Sequence, residues 1–413
     1  MTLQPLTDTT RPRPLSAVPT GLPEPMRTCP ADIFDGWVVH HAALSRGLNT
    51  LLFPGQALMA YYGDDHTSGA AFAHGVPNQT WLSTATLVQD KRIRRDVLAA
   101  AGIAVPRGRG FSLKRGLPYA KEFAAEIGYP VVVKPVVGES TIEVMSGIDS
   151  EASLVEAVNY LHQVPTIRPD FTTASYAFTQ ILTPRTGTST RTRGTYRYLV
   201  EEHISGESLR VFVAGGTVLS VISTPHGPWG PVEDFTDVTL DVHTDILAFA
   251  QSVWDALPGL AVMALDLVVD DATEALTDAN RAIVVDVAER PWLHVQQVVS
   301  SELATAHAQT ILESSTDIDL RASSSTESVD AAFRWDGLSQ VDVDIERAAA
   351  AARRLGLEFD VTSQDEVAGV VSGRVSGPAR VTALLTELVV DGDILTSPAM
   401  CAETRPMQGQ GTA

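Results

Sequence analysis

Two lysines, an acidic hinge and two strand-borne aspartates are the residues of this chain whose types and spacing can do chemistry together. Lys134 ends the apolar run Val131-Val132-Val133, just before Pro135 and the turn Gly138-Glu139-Ser140-Thr141. A lysine at the end of a buried strand costs desolvation unless an anion compensates it, and a phosphate is a natural candidate. Were Lys134 alone, a side chain snorkelling to solvent would be the plainer account. It is not alone. Lys91 opens a helical pattern upstream, Glu201, Glu202 and Glu207 flank Ile204-Ser205-Gly206, and Arg210 follows in a strand. Asp266 and Asp286 each interrupt an apolar strand, where an aspartate lacking a cation or hydrogen-bond donors is expensive. For either aspartate taken singly, a satisfied core carboxylate is the alternative. Together, two inward carboxylates after two lysines suit a magnesium-bound nucleotide, because magnesium takes oxygen ligands from carboxylates, phosphates and water.

The elements that must position these groups follow from period and punctuation. Residues 35–46 read as an amphipathic helix stopped by Gly47, and 49–53 as a strand closed by Pro54-Gly55. Ile93, Val97, Leu98 and Ala101 recur at helical spacing after Gln89-Asp90-Lys91, and Gly102 ends them. Further helices are expected over 117–127, over 151–161 with Ser150 as N-cap, and over 245–257 before the strand of Asp266. Residues 328–392 read strand, helix, strand, strand, helix, which suggests a ferredoxin-like α+β module. That module carries no catalytic constellation, so scaffold or homodimer contact is its default role.

The order of these pieces over roughly residues 30–315 resembles the ATP-grasp superfamily, and within it the carboxylate–amine ligases of the D-alanine ligase and cyanophycin synthetase type. The resemblance implies a multidomain α/β and α+β chain whose two antiparallel lobes clamp ATP. It implies Lys91 and Lys134 on the phosphates, with Ser140 as a further donor from the turn. Glu201, Glu202 and the backbone through Ile204 would meet the adenine, and Glu207 the ribose hydroxyls. Asp266 and Asp286 would bind Mg2+, and Arg210, beside Lys134, would stabilise the transferring phosphoryl group or a substrate carboxylate, with a surface ion pair as the alternative. The substrate side is expected near Arg290, Trp229 and His226, with Arg290 pairing a carboxylate. One departure stands out: the family's last strand usually reads Glu-x-Asn, and here the pair is Asp286 and Ala288.

On this reading, residues 1–29 are a disordered lead-in, and 30–88 a small α/β domain before the core. The core spans 89–315, with a lid lobe at about 111–205. A linker at 316–327, the α+β module at 328–397 and a disordered tail at 398–413 complete the chain. Within the lid, 162–197 hold Arg168, Arg185, Arg191, Arg193 and Arg197, which suit a mobile cover over phosphates, with a solvated loop as the plainer account.

Composition narrows the class. A chain of 413 residues, 44% hydrophobic, can bury a large core over two to three domains. Its net charge of −20 and lack of a basic stripe argue against nucleic acid. No apolar run reaches the roughly eighteen residues of a membrane span. The two cysteines, Cys29 and Cys401, have no metal-type spacing and suit a reducing cytoplasm as ordinary thiols, with a disulfide as the alternative. The expectation is an ADP-forming ligase that activates a small-molecule carboxylate as an acyl-phosphate and joins it to an amine, on amino acids or small peptides. An ATP-grasp phosphotransferase, a nucleotide-binding protein with weakened catalysis and a scaffold that binds no nucleotide remain as alternatives.

Overall fold

The computed structural model describes residues 31–63, 65–137, 144–163, 197–228, 232–316, 326–392 and 394–407. The lead-in at 1–29, most of the 316–327 linker and all but the ends of the 162–197 lid lie outside them. Among the described residues the chain is mixed α/β with three antiparallel sheets, and it divides into two units, one holding Thr80–Glu289 and the other Ser16–Gln79 with Arg290–Ala413. No helix among the described residues is long and apolar enough to cross a membrane.

In the Thr80–Glu289 unit, a five-stranded sheet runs Thr236–Asp237, Thr217–Ser223, Glu207–Ala214, Val262–Val269, Ala282–Ala288. Leu209, Val211 and Val213 join Met263, Leu265, Leu267 and Val269 on the face packed against Ile246, Ala250 and Val253 of the Thr244–Asp255 helix. Alternation then sends Arg210 and Asp266, which are cross-strand partners, to the opposite face. The last strand needs a device to follow them. Val284 pairs with Leu267 and Asp286 with Asp266, so Val285 is an extra residue, and Val284 and Val287 both enter the core although three positions apart. This bulge turns Asp286 out of the apolar core and beside Asp266.

A four-stranded sheet in the same unit runs Gly108–Ser112, Arg197–Glu202, Val131–Pro135, Met145–Ile148. Val131, Val133, Tyr198 and Val200 pack against Ala120, Ala124, Leu154 and Val158 of the Leu117–Ile127 and Glu151–His162 helices. Lys134 and Glu201 therefore share the other face. Gly206, between the two sheets in sequence, has φ of 151°, and a Cβ there would stand 2.5 Å from the Val269 carbonyl oxygen. Only glycine fits that close approach. The Lys91–Ala100 helix starts at Asp90, whose carboxylate accepts from the backbone N–H of Arg92 (3.0 Å) and Ile93 (3.4 Å).

The other unit departs from the expected domain plan. One eight-stranded sheet runs Glu358–Asp365, Val370–Pro378, Ser328–Asp336, Cys401–Pro406, Asn49–Phe53, Ala57–Tyr62, Asp65–Ala73, Val76–Pro77. The tail from 398, expected to be disordered, supplies the strand Cys401–Pro406, which pairs with both Ser328–Asp336 and Asn49–Phe53. The separate N-terminal domain and C-terminal module are thereby one sheet, because a strand hydrogen-bonded on both edges joins whatever flanks it. The expected amphipathic helix is Ala31–Ser45, and residues 33–40 are buried all round. It packs against the Ala379–Val390 and Ser301–Ser315 helices, which leaves it little solvent face. The latter helix, placed by sequence in the core, belongs to this unit.

Candidate nucleotide site

Three oppositely charged pairs occupy the buried faces of the Thr80–Glu289 unit. Lys134 does meet an anion, but one from its own chain: its Nζ lies 2.5 Å from a Glu201 carboxylate oxygen and donates to the Val285 carbonyl at 3.1 Å. Arg210 clasps Asp266 with two parallel bonds, Nε to Oδ1 at 2.6 Å and Nη2 to Oδ2 at 3.0 Å. Arg94 reaches from the Lys91–Ala100 helix to Asp286 Oδ1 and to the Val287 carbonyl, and bonds the Val88 carbonyl at 3.2 Å. The Val287 N–H also donates to Asp286 Oδ1, at 2.9 Å. Asp286 Oδ2 is buried and accepts no hydrogen bond from the described residues.

Lys91, Arg94 and Leu98 are the buried residues of their helix, spaced three and four apart on one side. Sequence reasoning took Lys91 from this face and missed Arg94. The signal was present, since a second cation at i+3 in line with a core leucine is costly unless something anionic receives it. The Lys91 N–H bonds the Val136 carbonyl at 2.9 Å, which ties the helix start to the end of the Lys134 strand.

These charges act on one another. Burial lowers the Lys91 ammonium to about 8, against the pull of Asp286 and Glu289. Burial alone would raise Asp286, but Arg94, Lys91 and Lys134 together hold it below the ordinary carboxylate range. Asp266 goes the other way: burial raises it, Asp286 adds to the rise, and Arg210 opposes both. Two facing carboxylates pushed apart in acidity are a common mark of a working site. Glu289, raised by burial, accepts from the Gln89 side-chain amide at 2.5 Å.

The remaining expected residues are more scattered. Glu202 accepts a long bond from the Arg107 N–H (3.4 Å), and Glu207 one from the Ala272 N–H (3.3 Å) at the rim. Ile204 lies half-buried in the loop between their strands. His226 is 64% exposed and stands 3.7 Å from Asp234. Ser140 and Trp229 fall outside the described residues. Arg290 belongs to the other unit, where its Nε donates to Asp35 at 2.9 Å and its guanidinium lies 4.3 Å from the Trp292 ring.

Among the described residues no cluster of three or more His, Cys, Asp or Glu could hold a metal. Among the described residues the row offers two carboxylates, Asp266 and Asp286, and of their oxygens Asp286 Oδ2 accepts no hydrogen bond while both of Asp266 do. Ala288, cross-strand from Ala264 and 4% exposed, offers none. That donor set fits magnesium arriving with phosphate oxygens, which need only one or two carboxylates, rather than a fixed all-protein cage.

No protein-family model matches the chain, and no curated protein matches its sequence. Among solved structures it is similar to a bifunctional glutathione synthetase from Pasteurella multocida, at 16% identity and a TM-score of 0.41, over 67% of this chain and 43% of that one. It is also similar to the D-alanine–D-alanine ligase from Bacillus anthracis complexed with ATP, at 16% identity and 0.39, over 57% and 66%. A RimK domain ATP-grasp protein from Sphaerobacter thermophilus follows at 18% and 0.36, over 56% and 69%. The chain thus spans less than half the length of the synthetase and about two thirds of the D-alanine ligase.

Proposed function

We propose that the protein is an ATP-dependent ligase that joins a carboxylate to an amine, on amino-acid or small-peptide substrates. The observation that carries this reading is the buried row Arg210, Asp266, Asp286 across three adjacent strands, with Lys91, Arg94 and Lys134 all bearing on its end. Phosphoryl transfer asks a protein mainly for positioning and for charges that neutralise the β- and γ-oxygens. In the reaction, a carboxylate oxygen of the first substrate attacks the γ-phosphorus, and the bond to ADP breaks. The amine of the second then attacks the acyl carbon, phosphate leaves, and the amine proton goes to solvent.

Lys91 and Lys134 serve the phosphates, Glu201 and Glu202 with the backbone through Ile204 the adenine, and Glu207 the ribose. Asp266 and Asp286 would hold Mg2+, which supplies further neutralisation of the phosphates. Arg210 serves the transferring group, and Trp229 and His226 the substrates. A second reading, a nucleotide-binding protein with weakened catalysis, is favoured by Ala288, which brings no oxygen to the carboxylate row. Coupled measurement of ADP release over pairs of acids and amines, with products weighed by mass spectrometry, separates the two. Release that needs both an acid and an amine, with their condensation product, supports the ligase; binding of Mg-ATP without such release supports the second reading.

A further inference from the structure

We propose that Arg210 and Asp266 form an exchangeable ion pair that makes metal and triphosphate bind as one ligand. The inference rests on the nucleotide reading above and adds a coupling device to it. Arg210 engages both oxygens of Asp266, at 2.6 and 3.0 Å, and the two side chains are 1% and 4% exposed. A divalent cation arriving alone must take an oxygen from Asp266 and leave the Arg210 guanidinium buried against a neutralised partner. A triphosphate arriving alone must draw Arg210 away and leave the Asp266 carboxylate buried without its counterion. A buried charge deprived of its partner is the costly case. When both arrive together, cation re-pairs with carboxylate and phosphate with guanidinium, so no charge is stranded. The unengaged Oδ2 of Asp286, on the neighbouring strand and in register with Asp266, gives the cation a second oxygen. The pair is a lock that either ligand alone opens only at a penalty.

The coupling is tested by calorimetry on the full chain, with Mn2+ alone, with a non-hydrolysable ATP analogue in chelator, and with the two combined. Wild type is expected to bind the combination well and each component poorly. Arg210→Met releases Asp266 and should tighten Mn2+ alone by about 5- to 150-fold, the usual range of a coupling between sites. Asp266→Asn releases Arg210 and should tighten the metal-free analogue by a similar factor. Should either single variant fail to fold, Arg210→Met/Asp266→Asn decides, since it strands no charge. It should bind metal and analogue with no coupling beyond their association in solution, and retention of the wild-type coupling overturns the lock. If wild type binds the combination while neither single variant gains for its component, the lock is wrong and the nucleotide reading stands. If wild type does not bind the combination at all, both fall.

Discussion

Each unit of this protein buries an arginine–aspartate pair, and the two are equally dry. Side-chain exposure is 1% and 1% for Arg290–Asp35, and 1% and 4% for Arg210–Asp266. Their surroundings differ. Asp35 is closed on every side: one oxygen accepts from the Leu293 N–H at 2.8 Å, the other from Arg290 and from the Trp292 N–H at 3.2 Å. Asp266 instead faces a second carboxylate across the sheet, and that carboxylate keeps one oxygen without a donor among the described residues. A buried ion pair is therefore weak grounds for a site. Two like charges held side by side, with four cations arranged around them, are better grounds, because folding alone gains nothing from that crowding.

The sharpest way to break this comparison is to remove Asp35. Asp35→Ala strands Arg290 and two backbone donors, and should cost about 3–5 kcal/mol of stability, the usual loss when one partner of a buried pair is deleted. ADP release per folded molecule should stay near wild type. Chemical denaturation beside steady-state assays checks both. A variant of unchanged stability whose KM for the acid substrate rises steeply would make Arg290 a substrate residue and erase the contrast.

What the sequence made legible follows the range of the interaction. The Ser150 cap, the Lys134 strand end and the helix periods are local signals, and the structure has them where expected. The partners of the site were not legible. Nothing near Lys134 announces Glu201, and nothing near Asp286 announces Arg94, because register across strands and between helix and sheet is settled by long-range packing. The bulge at Val285 is invisible for the same reason. Strict alternation from Val284 would have turned Asp286 into the apolar core. The strand at 401–406 was misread because Ala402 and Thr404, its buried residues, alternate with polar neighbours in too short a run to stand out from a tail.

A second test sharpens the site side of the comparison. Lys134→Met should lower ADP release by roughly tens- to a thousandfold, about 2–4 kcal/mol of transition-state stabilisation. Because Glu201 loses its counterion in that variant, some stability will go as well. Lys134→Met/Glu201→Gln should restore the stability and leave the activity low. Activity within about threefold of wild type in the folded double variant, under roughly 1 kcal/mol, would falsify the phosphate role of Lys134.

Lys91 offers a smaller and titratable effect. Its folded pKa of about 8 lies below the ordinary lysine value of 10.5, so the unfolded chain binds more protons between those values. Stability must then rise with pH across that window, as the buried ammonium is relieved of its charge. From pH 8 to 9.5 the gain amounts to roughly 1.5 kcal/mol, at about 1.4 kcal/mol per unit of pKa difference. Lys91→Met has no ammonium to titrate, so the stability difference, wild type minus variant, should grow by that amount over the same range. Affinity for Mg-ATP should fall over the same interval as the ammonium is lost. A stability difference flat with pH means that Lys91 is not titrating there.

The smallest effect concerns the oxygen the last strand does not supply. Asp286 and Ala288 pair with Asp266 and Ala264, so position 288 lies on the same face as the carboxylate row, clear of the bulge. Ala288→Asn adds an amide oxygen to that face and should lower the magnesium concentration needed for half-maximal ADP release, by about tenfold at most for one added neutral ligand, near 1.4 kcal/mol. Position 288 is already buried, so the larger side chain must find room, and overpacking of this kind costs about 1–3 kcal/mol. The two effects separate because one appears in a magnesium titration and the other in denaturation. Asp286→Asn should act in the opposite sense and more strongly, since it removes the charge that balances both Arg94 and the incoming metal. A magnesium dependence unmoved by either substitution would detach this strand from metal binding, and would leave Asp266 and Asp286 as a structural cluster like Asp35 in the other unit.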